Sequence, residues 1–547
     1  MVVRVTSQYG VVKYQSSDSE NPYYPVLDTG GWARWQPGYG PGTLFGREST
    51  ASIIPCSNGA LTAEYSLGRL TFTAPNGSET ELRDTNTDGK PYAVPNYCTT
   101  NASNWDAGRG VVFASKDGSA MVFVLDTAVN DFDSSYGVRV FTVSGYLHFA
   151  DGTTYRIDNS NVSFIRDQNG NQITFWYNSN NQVTQILDQN GRTTTVSYAG
   201  NSCAGSPQSW CDVITYPGAT GPRNIEVGSD YLTGPGVLRS GYSPQTIVQL
   251  FPEMWPNQPS QPGPFAPTEY SYVRFPDNSA FQLQYDSYGE IARVVLPTGG
   301  AIEYDWIGFD SPGDGFWGNS TDSGPVMIDR VVAARREYSD GRNLSSAKSF
   351  SYSYAGGSDS PTQTTTEMAQ DAQGRTLQQI INNWQQAGPV AWCNSGGGVY
   401  SCSAGNGAGV PENNPRLSSV VTTLNDTGQV SQTAYGYDQF NNETDRYEYD
   451  YGAGAPGALL RHTATNYHAE GPYLDPNVNL VRLPFETRVL DGSSGQQVAY
   501  TLRLYDEVDA DHSLSDTPGI AQHDGAYNTG YNIRAATLPP CGAPRMG

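Results

Sequence analysis

One segment of the sequence recurs at a fixed distance, and this repeat constrains the fold more than any other feature. Residues 167–177 read DQNGNQITFWY, and residues 188–198, which begin 21 positions later, read DQNGRTTTVSY. In each copy an Asn-Gly pair, which suits a hairpin turn with positive φ, precedes a run of alternating side chains. Ile173, Phe175 and Tyr177 fall on one face of such a strand. One repeat therefore has the length of one β-hairpin with its two turns.

The same pattern returns further along the chain. Phe275 and Leu296 are again 21 residues apart, and each begins a turn that leads to a strand containing Tyr-Asp. The later Tyr-Asp pairs are at 285–286, 304–305, 437–438, 449–450 and 505–506. A tyrosine that ends a strand can pack its ring on the neighbouring strand, while the following aspartate enters the turn. The series predicts an all-β protein in which consecutive antiparallel hairpins build one long curved sheet.

These Tyr-Asp and Asp-x-x-Gly units resemble the YD repeats of the bacterial RHS family. Residues 483–506, and residues 149–155 followed by the two Asp-Gln-Asn-Gly units, are similar to typical family segments. The resemblance extends over 145–310 and 416–535 and, more loosely, over 27–145. It implies a β-ribbon that spirals into a hollow shell. In toxin-type members the shell encloses a C-terminal effector behind a self-cleaving core region, and related repeats serve in adhesion and cell contact.

The repeats and their interruptions divide the chain into four expected regions. Residues 1–145 form an N-terminal β region with an aromatic and Gly-rich start, and residues 146–310 form a YD-repeat sheet with a loop insertion near 199–265. Residues 311–415 hold further strands and a Gly/Ser-rich insertion, in which the run LQQII at 377–381 is expected to be a short helix. Residues 416–547 form a YD-repeat sheet and a truncated tail. Because neither the core region nor a toxin is recognisable after the repeats, we expect a fragment that forms a partial shell.

The charge of the chain argues against nucleic acid as a partner. The formal net charge is −23 and the sequence pI is about 4.5, and an acidic surface repels phosphate backbones. No run of apolar residues is long enough to span a membrane. The N-terminus lacks the apolar segment of a signal peptide, so we expect a removed signal or a fragment.

The cysteines favour an oxidising compartment. Their spacing is not that of a zinc site; they lie at positions 56, 98, 203, 211, 393, 402 and 541. We expect disulfides between 203 and 211, between 393 and 402, and between 56 and 98, and the alternative is seven buried thiols. Disulfides of this kind persist outside the cytoplasm, so the expected location is secreted or at the cell surface.

A single segment has part of a metal-binding pattern. In Asp84-Thr-Asn-Thr-Asp-Gly, oxygen ligands stand at Asp84, Asn86 and Asp88, and a glycine holds the sixth place, as in a calcium loop. The bidentate glutamate of the twelfth place is missing, since Pro95 stands there. The alternative is an Asx-rich turn without a metal.

No other motif indicates catalysis or a cofactor. Gly452–Gly457 matches a Gly-x-Gly-x-x-Gly pattern, but its flanks are β-repeats and it is interpreted as a loop. The pairs His468/Glu470 and Asp509/His512 are interpreted as chance neighbours in a chain with 54 carboxylates. The aromatic cluster Trp32, Trp35 and Tyr39 is either a plug at the end of the sheet or a sugar-stacking platform.

Three functions follow as hypotheses. The first is a non-catalytic wall of an extracellular β-shell that acts by enclosure, assembly or contact, possessing no active site of its own. Its partners would be the rest of its own polypeptide or other copies, through open strand edges. The second is an adhesin module that binds glycans or surface proteins, and the third is a glycan-cleaving enzyme with two carboxylates.

Overall fold

The structure is a computed structural model, and it describes fifteen ranges of the chain. The described residues are 10–13, 23–26, 39–55, 61–75, 79–86, 109–115, 118–128, 139–167, 170–200, 210–250, 263–311, 327–355, 362–386, 415–505 and 535–538.

The described residues form almost entirely antiparallel β-structure. The strands in the first half are β1 Gly10–Lys13, β2 Tyr23–Val26, β3 Thr43–Pro55, β4 Leu61–Thr73, β5 Glu79–Asp84, β6 Val112–Ser115, β7 Val122–Leu125, β8 Arg139–Thr142, β9 Gly145–His148, β10 Thr154–Asp158, β11 Asn161–Arg166, β12 Gln172–Tyr177, β13 Val183–Leu187, β14 Thr193–Gly200, β15 Cys211–Gly218 and β16 Gly221–Tyr231. Those in the second half are β17 Thr268–Arg274, β18 Ala280–Tyr285, β19 Ile291–Val295, β20 Ala301–Ser311, β21 Met327–Tyr338, β22 Leu344–Ala355, β23 Thr362–Asp371, β24 Thr376–Gln386, β25 Pro415–Leu424, β26 Gln429–Tyr437, β27 Glu443–Ala453, β28 Leu459–His468, β29 Leu483–Asp491, β30 Gln497–Tyr505 and β31 Ala535–Leu538. A short helix α1 spans Ile247–Leu250, and a 3-10 turn spans Gly471–Leu474.

The first part of the sheet closes on itself. Strands β3 to β7 pair in succession, β7 pairs with β9, and β9, β10 and β11 continue the series. The circuit is completed where Asn161 of β11 pairs with Thr43 of β3, and where the Leu44 amide donates to the Ser160 carbonyl at 2.9 Å. We call these eight strands the ring. Next to this contact, residues 45–48 of β3 pair with β8, so β8 and β11 together cover this edge of β3.

The remainder is one uninterrupted meander. From β9 to β31 each strand pairs antiparallel with the next one in sequence. The small hairpin β1–β2 joins this sheet through Val12, which pairs with Met327 of β21. The sheet curves into a barrel-like shell. The prediction of consecutive antiparallel hairpins in one long curved sheet is therefore confirmed.

Two apolar clusters fill the first half of the molecule. The core of the ring contains Leu44, Phe72, Phe123 and Leu147, each at most 1% exposed. A second cluster lies on strands β14 to β19 and is covered by the segment that follows β16, which contributes Leu232, Val237, Leu250 and Phe265. We call strands β21 to β30 the wall. In the described part of the wall and its turns, the buried hydrophobic residues are Val430, Leu480 and Val481.

Two expectations about the interruptions were wrong. The segment near 199–265, which was expected to be a loop insertion, contains the regular hairpin β15–β16, and residues 232–250 pack against the sheet. Residues 377–381, which were expected to be a short helix, belong to strand β24. The tertiary pairing of β24 with β23 and β25 decides its conformation, because intrinsic preference is weak for such a short run.

Candidate functional site

The tyrosine that ends each repeat ties its strand to the preceding one. The Tyr177 hydroxyl donates to the Val162 carbonyl at 2.6 Å, and Tyr285 donates to the Tyr270 carbonyl at 2.6 Å. Burial raises the pKa of both phenols, so each remains a donor at neutral pH. The tyrosine also sits where the register to the following strand shifts. The repeat thus fixes both the pairing and a local bend of the sheet.

The aspartate that follows such a tyrosine closes the turn, as the sequence predicted. Asp286 Oδ1 accepts hydrogen bonds from the backbone amides of Tyr288 and Glu290, each at 2.9 Å. Asp438 does the same for Phe440 and Asn442, at 2.8 and 2.9 Å. These are Asx-type turns, in which the carboxylate replaces a backbone acceptor.

Two of the Tyr-Asp pairs do not act in this way. Tyr304–Asp305 and Tyr449–Asp450 lie inside β20 and β27, which continue to Ser311 and Ala453. In β20 the role of the tyrosine belongs to Trp306, whose indole Nε1 donates to the Ile291 carbonyl at 2.9 Å. The dipeptide alone therefore does not mark the end of a strand. Tyr505 ends β30 as expected, and residue 506 lies outside the described residues.

One face of the sheet can be followed from the ring to the wall, because directly paired residues in antiparallel strands share a face. We call this face, on which both apolar clusters lie, the inner face. The face includes, with one residue given for each strand in chain order, Leu147, Tyr155, Ile165, Phe175, Ile186, Val196, Ile214, Val227, Val273, Leu283, Val294, Ile302, Glu337, Lys348, Glu367, Ile380, Thr422, Thr433, Glu448, Arg461, Thr487 and Thr501. The face is mostly apolar through β20; from β21 onward charged and hydroxylated side chains are interspersed with half-buried apolar ones such as Phe350, Ile380 and Val420.

The charges on the inner face of the wall are arranged in pairs. Lys348 Nζ lies 2.7 Å from Glu367 Oε1, and Arg461 Nε lies 2.5 Å from Glu448 Oε2. The Arg461 guanidinium lowers the pKa of Glu448 by hydrogen bonding. Such half-exposed pairs tolerate water far better than a packed apolar core does. This part of the face is suited to line a hydrated space.

The sheet comes back to the ring at one place, which we call the seam. Here the loop 475–482 between β28 and β29 contacts residues 118–120 and 148–150. Asn479 Nδ2 donates to the Ala120 carbonyl at 2.6 Å and to the His148 carbonyl at 3.0 Å. The Arg482 amide donates to the Ala150 carbonyl at 3.2 Å. Residues more than three hundred positions apart thus meet, and the sheet surrounds an interior.

The side chains at the seam are buried. Leu480 and Val481 are 4% and 1% exposed, and Asn479 is 5% exposed with φ at +49°, a conformation that asparagine tolerates. His148 is 6% exposed, and burial lowers its pKa to about 4. Sequence reasoning did not single out this loop. The apolar pair Leu480-Val481 within a polar, turn-rich loop was the signal that could have found it.

The structure places two of the three predicted calcium ligands. Asp84, at the end of β5, is 2% exposed, and its Oδ2 accepts a hydrogen bond from the Arg109 guanidinium at 3.0 Å. Asn86 is exposed in the following turn, and residue 88 lies outside the described residues. Within the described ranges, no three His, Cys, Asp or Glu side chains come close enough together to hold a metal ion. The calcium site stays a prediction.

The other motifs fall into structural positions where they are described. His468 Nδ1 and Glu470 Oε1 are 2.5 Å apart, and the imidazole stacks on Tyr473 beside the seam. Gly452–Gly457 lies at the turn between β27 and β28, not before a helix. Tyr39 packs on Tyr198 and donates to Asp212 Oδ2 at 3.1 Å, as part of the second apolar cluster. Residues 32, 35, 509 and 512 lie outside the described residues.

Cys211, at the start of β15, is buried and disulfide-bonded. The other six cysteines lie outside the described residues, so the three pairings stay predictions. No helix in the described part of the chain combines the length and apolar character needed to cross a membrane.

Comparison with known proteins gives matches of low similarity. No family model matches the sequence, and none of the curated proteins matches it either. A crystal structure of TcdB2-TccC3-Cdc42 matches with 8% identity and a TM-score of 0.25, covering 91% of this chain and 25% of that one. A porin-like protein from Bacteroides uniformis matches with 11% identity and a TM-score of 0.19, covering 53% and 98%. A structure of TcdB2-TccC3 matches with 10% identity and a TM-score of 0.12, covering 91% and 35%. This chain spans about a quarter of the length of the first of these, and the family resemblance rests on the sequence repeats.

Proposed function

We propose that this chain is a non-catalytic structural wall of a secreted or cell-surface β-shell and acts by enclosure. The observation that carries the proposal is the inner face, which is packed in the ring and carries ion pairs and threonines among half-buried apolar side chains in the wall, while the sheet returns to the ring at the seam. An apolar face without a covering layer would aggregate, whereas paired charges and threonines can face water. The wall therefore needs no second layer and leaves room inside.

The two neighbouring carboxylates of β20 do not form a catalytic acid–base pair, because the pKa of each is lowered. Glu303 and Asp305 both lie on β20, but each is held by arginines. Burial alone would raise the pKa of Glu303, yet hydrogen bonds from Arg293 and Tyr338 outweigh it and the pKa is lowered. A glycosidase needs one carboxyl group with a raised pKa as its acid. Turnover assays on polysaccharides would overturn this part of the proposal if product appeared.

Enclosure can be tested with two neighbouring residues of β26. Thr433 lies on the inner face opposite Glu448, and Gln432 lies on the other face opposite Tyr449. Each is changed to cysteine in turn, and the labelling rates with a small maleimide and with a polymer-linked maleimide are compared. Enclosure predicts that Thr433→Cys reacts with the small reagent and is protected from the large one, while Gln432→Cys reacts with both. Equal access of the large reagent to both sites would contradict the proposal.

The partners of the shell belong to the same proposal. Among the described strands, β31 pairs with β30 alone, so its other edge is available for the rest of a longer polypeptide or for another copy. Light scattering of the purified chain over a range of concentrations distinguishes assembly from a closed monomer. The sequence resemblance also allows a toxin carrier whose effector is encoded downstream. Sequencing the gene beyond codon 547 tests that version.

A glycan-binding role is a second candidate, favoured by one exposed aromatic pair. Trp210 and Tyr231 flank the β15–β16 hairpin with ring centroids 5.4 Å apart, and they are 40% and 42% exposed. Exposed indole and phenol faces can stack on sugars. A glycan array would support this role if binding were lost in Trp210→Ala and retained in Trp176→Ala, whose indole is 41% exposed elsewhere on the sheet.

A further inference from the structure

The seam contains a buried histidine whose surroundings disfavour the charged imidazolium. His148 lies at the end of β9, between Val122 of β7 and Thr154 of β10, and its Nδ1 is 3.2 Å from Thr154 Oγ1. Its Nε2 is buried and has no hydrogen-bond partner among the described residues. The loop 475–482 is bonded directly to this strand of the ring, because the Asn479 side chain donates to the His148 carbonyl.

The charged groups around this imidazole come from the loop. Asp475 acts on His148 electrostatically, and Arg482 binds the Gly118 and Ala150 carbonyls nearby. The strands β7 and β10 contribute the uncharged Val122 and Thr154, and β9 itself contributes Tyr146, which stacks at 6.3 Å. The attraction of Asp475 favours the imidazolium, but burial opposes it more strongly. His148 can therefore be protonated only when water reaches its imidazole.

We propose that the seam is an acid-sensitive latch, in which protonation of His148 releases the loop 475–482 from the ring and opens the shell. At neutral pH the neutral imidazole allows Asn479, Leu480 and Val481 to remain buried. In acid His148 binds a proton more tightly in the open form than in the closed form, so the equilibrium shifts toward opening. The latch follows from the geometry of the seam and holds whether or not the shell encloses a cargo.

The sign and size of the effect follow from the two pKa values of the histidine. An exposed imidazole has a pKa of 6.5 and the buried one has a pKa of about 4. The closed seam is therefore stable above pH 6.5 and is weakened as the pH falls toward 4. At pH 5 the opening equilibrium should increase about thirtyfold relative to pH 7.5.

Hydrogen exchange of the full chain at different pH values tests the latch. Corrected for the intrinsic pH dependence of exchange, the amides of Leu480 and Arg482 should lose protection about thirtyfold at pH 5, while the amides of the ring core, such as Leu147, keep theirs. In His148→Gln, which keeps a polar contact to Thr154 without a titrating group, protection at the seam should not change between pH 7.5 and pH 5. In the control His462→Gln, far along the wall, the acid response should match that of the parent chain.

Two further measurements make the outcome decisive. His468→Gln separates the two histidines near the seam, and an acid response lost in this variant but kept in His148→Gln would overturn the proposal. If His148→Gln does not fold, the imidazole of His148 is titrated by NMR in the parent chain. A pKa near 6.5, with the amides of the seam still protected from exchange, would show that the imidazole is protonated while the seam stays closed. This result would exclude the latch. Asn479→Asp, which loses both hydrogen bonds to the ring without a change in size, should open the seam already at neutral pH, whereas Asn180→Asp, in the exposed turn between β12 and β13, should not.

Discussion

The ring and the wall are parts of one sheet, yet they are stabilised in different ways. In the ring, strands of mostly four to six residues enclose side chains such as Phe123 and Leu147, which are fully buried. In the wall, strands of nine to twelve residues carry side chains that are mostly half-buried on both faces. The ring resembles the inside of a globular domain. The wall instead depends on long backbone ladders, tyrosine ties and cross-strand pairs, because its described residues form a single layer.

The difference shows how one repeat can serve two purposes. The tyrosine and aspartate of the repeat fix strand pairing and turns, and they do so both in the strands that follow the ring and in the wall. The residues between them are free to vary, and their polarity decides whether the sheet packs on a core or faces an interior space. The strand pairing is common to the whole sheet, whereas the side chains that cover its faces differ from one region to the next.

The largest effect should come from truncating matched phenylalanines in the two regions. Phe123 is 0% exposed in the ring, and Phe350 lies half-buried on the inner face of β22. We expect Phe123→Ala to lower the free energy of unfolding by about 3–5 kcal/mol through cavity formation, and Phe350→Ala by about 1 kcal/mol. Chemical denaturation of both variants measures the difference. Equal losses would mean that the wall has a packed core as well.

Ion pairs offer a second test of the same contrast. Asp84 and Arg109 are both buried in the ring region, whereas Lys348 and Glu367 are partly exposed in the wall. Asp84→Asn should cost about 3–5 kcal/mol because it removes the opposite charge next to the buried Arg109 guanidinium. Glu367→Gln should cost less than about 1 kcal/mol. Denaturation curves at low and high salt check this, and a strong salt dependence of the Asp84 variant alone would count against burial of that pair.

The predicted disulfides should contribute an intermediate amount. A bond between Cys203 and Cys211, or between Cys393 and Cys402, closes a short loop and should stabilise the chain by about 2–3 kcal/mol. Peptide mapping of the unreduced protein by mass spectrometry identifies the pairings directly. A peptide that links Cys211 to any cysteine other than Cys203 would refute the first pairing. The Cys203→Ser and Cys393→Ser variants then compare the two loops.

The smallest effect is expected for the tyrosine ties. Tyr285 is fully buried, and its hydroxyl binds the Tyr270 carbonyl at 2.6 Å, whereas Tyr437 in the wall binds the Leu417 carbonyl at 3.0 Å and is partly exposed. Tyr285→Phe should cost about 1–2 kcal/mol, since a buried carbonyl loses its donor. Tyr437→Phe should cost about 0.5 kcal/mol, because water can replace the hydroxyl. Thermal melts of the two variants, each compared with the parent chain, would contradict the assignment if their order were reversed.

The sequence by itself determined the class of fold and the local structure of the repeat, namely its turns and strand ends. The Asp-Gln-Asn-Gly turns and the strand-ending Tyr177, Tyr198, Tyr285 and Tyr437 predict hairpins because their requirements are local: a positive φ, an Asx turn and a period of two. The tertiary structure decided which Tyr-Asp pairs are used. Trp306 replaces Tyr304 because β20 has a long partner, β21, along which it continues.

Only the tertiary structure brought together the ring closure at Thr43 and Asn161 and the seam at His148 and Asn479. The apolar pair Leu480-Val481 marks the loop in the sequence, but the partner in each contact cannot be read from it, because the contact depends on the summed twist and bend of many strands between the two partners. The sequence determines the polarity of each residue on the inner face. That these residues share one face, and that the face encloses a space, follows from the register of the sheet and from its return to the ring.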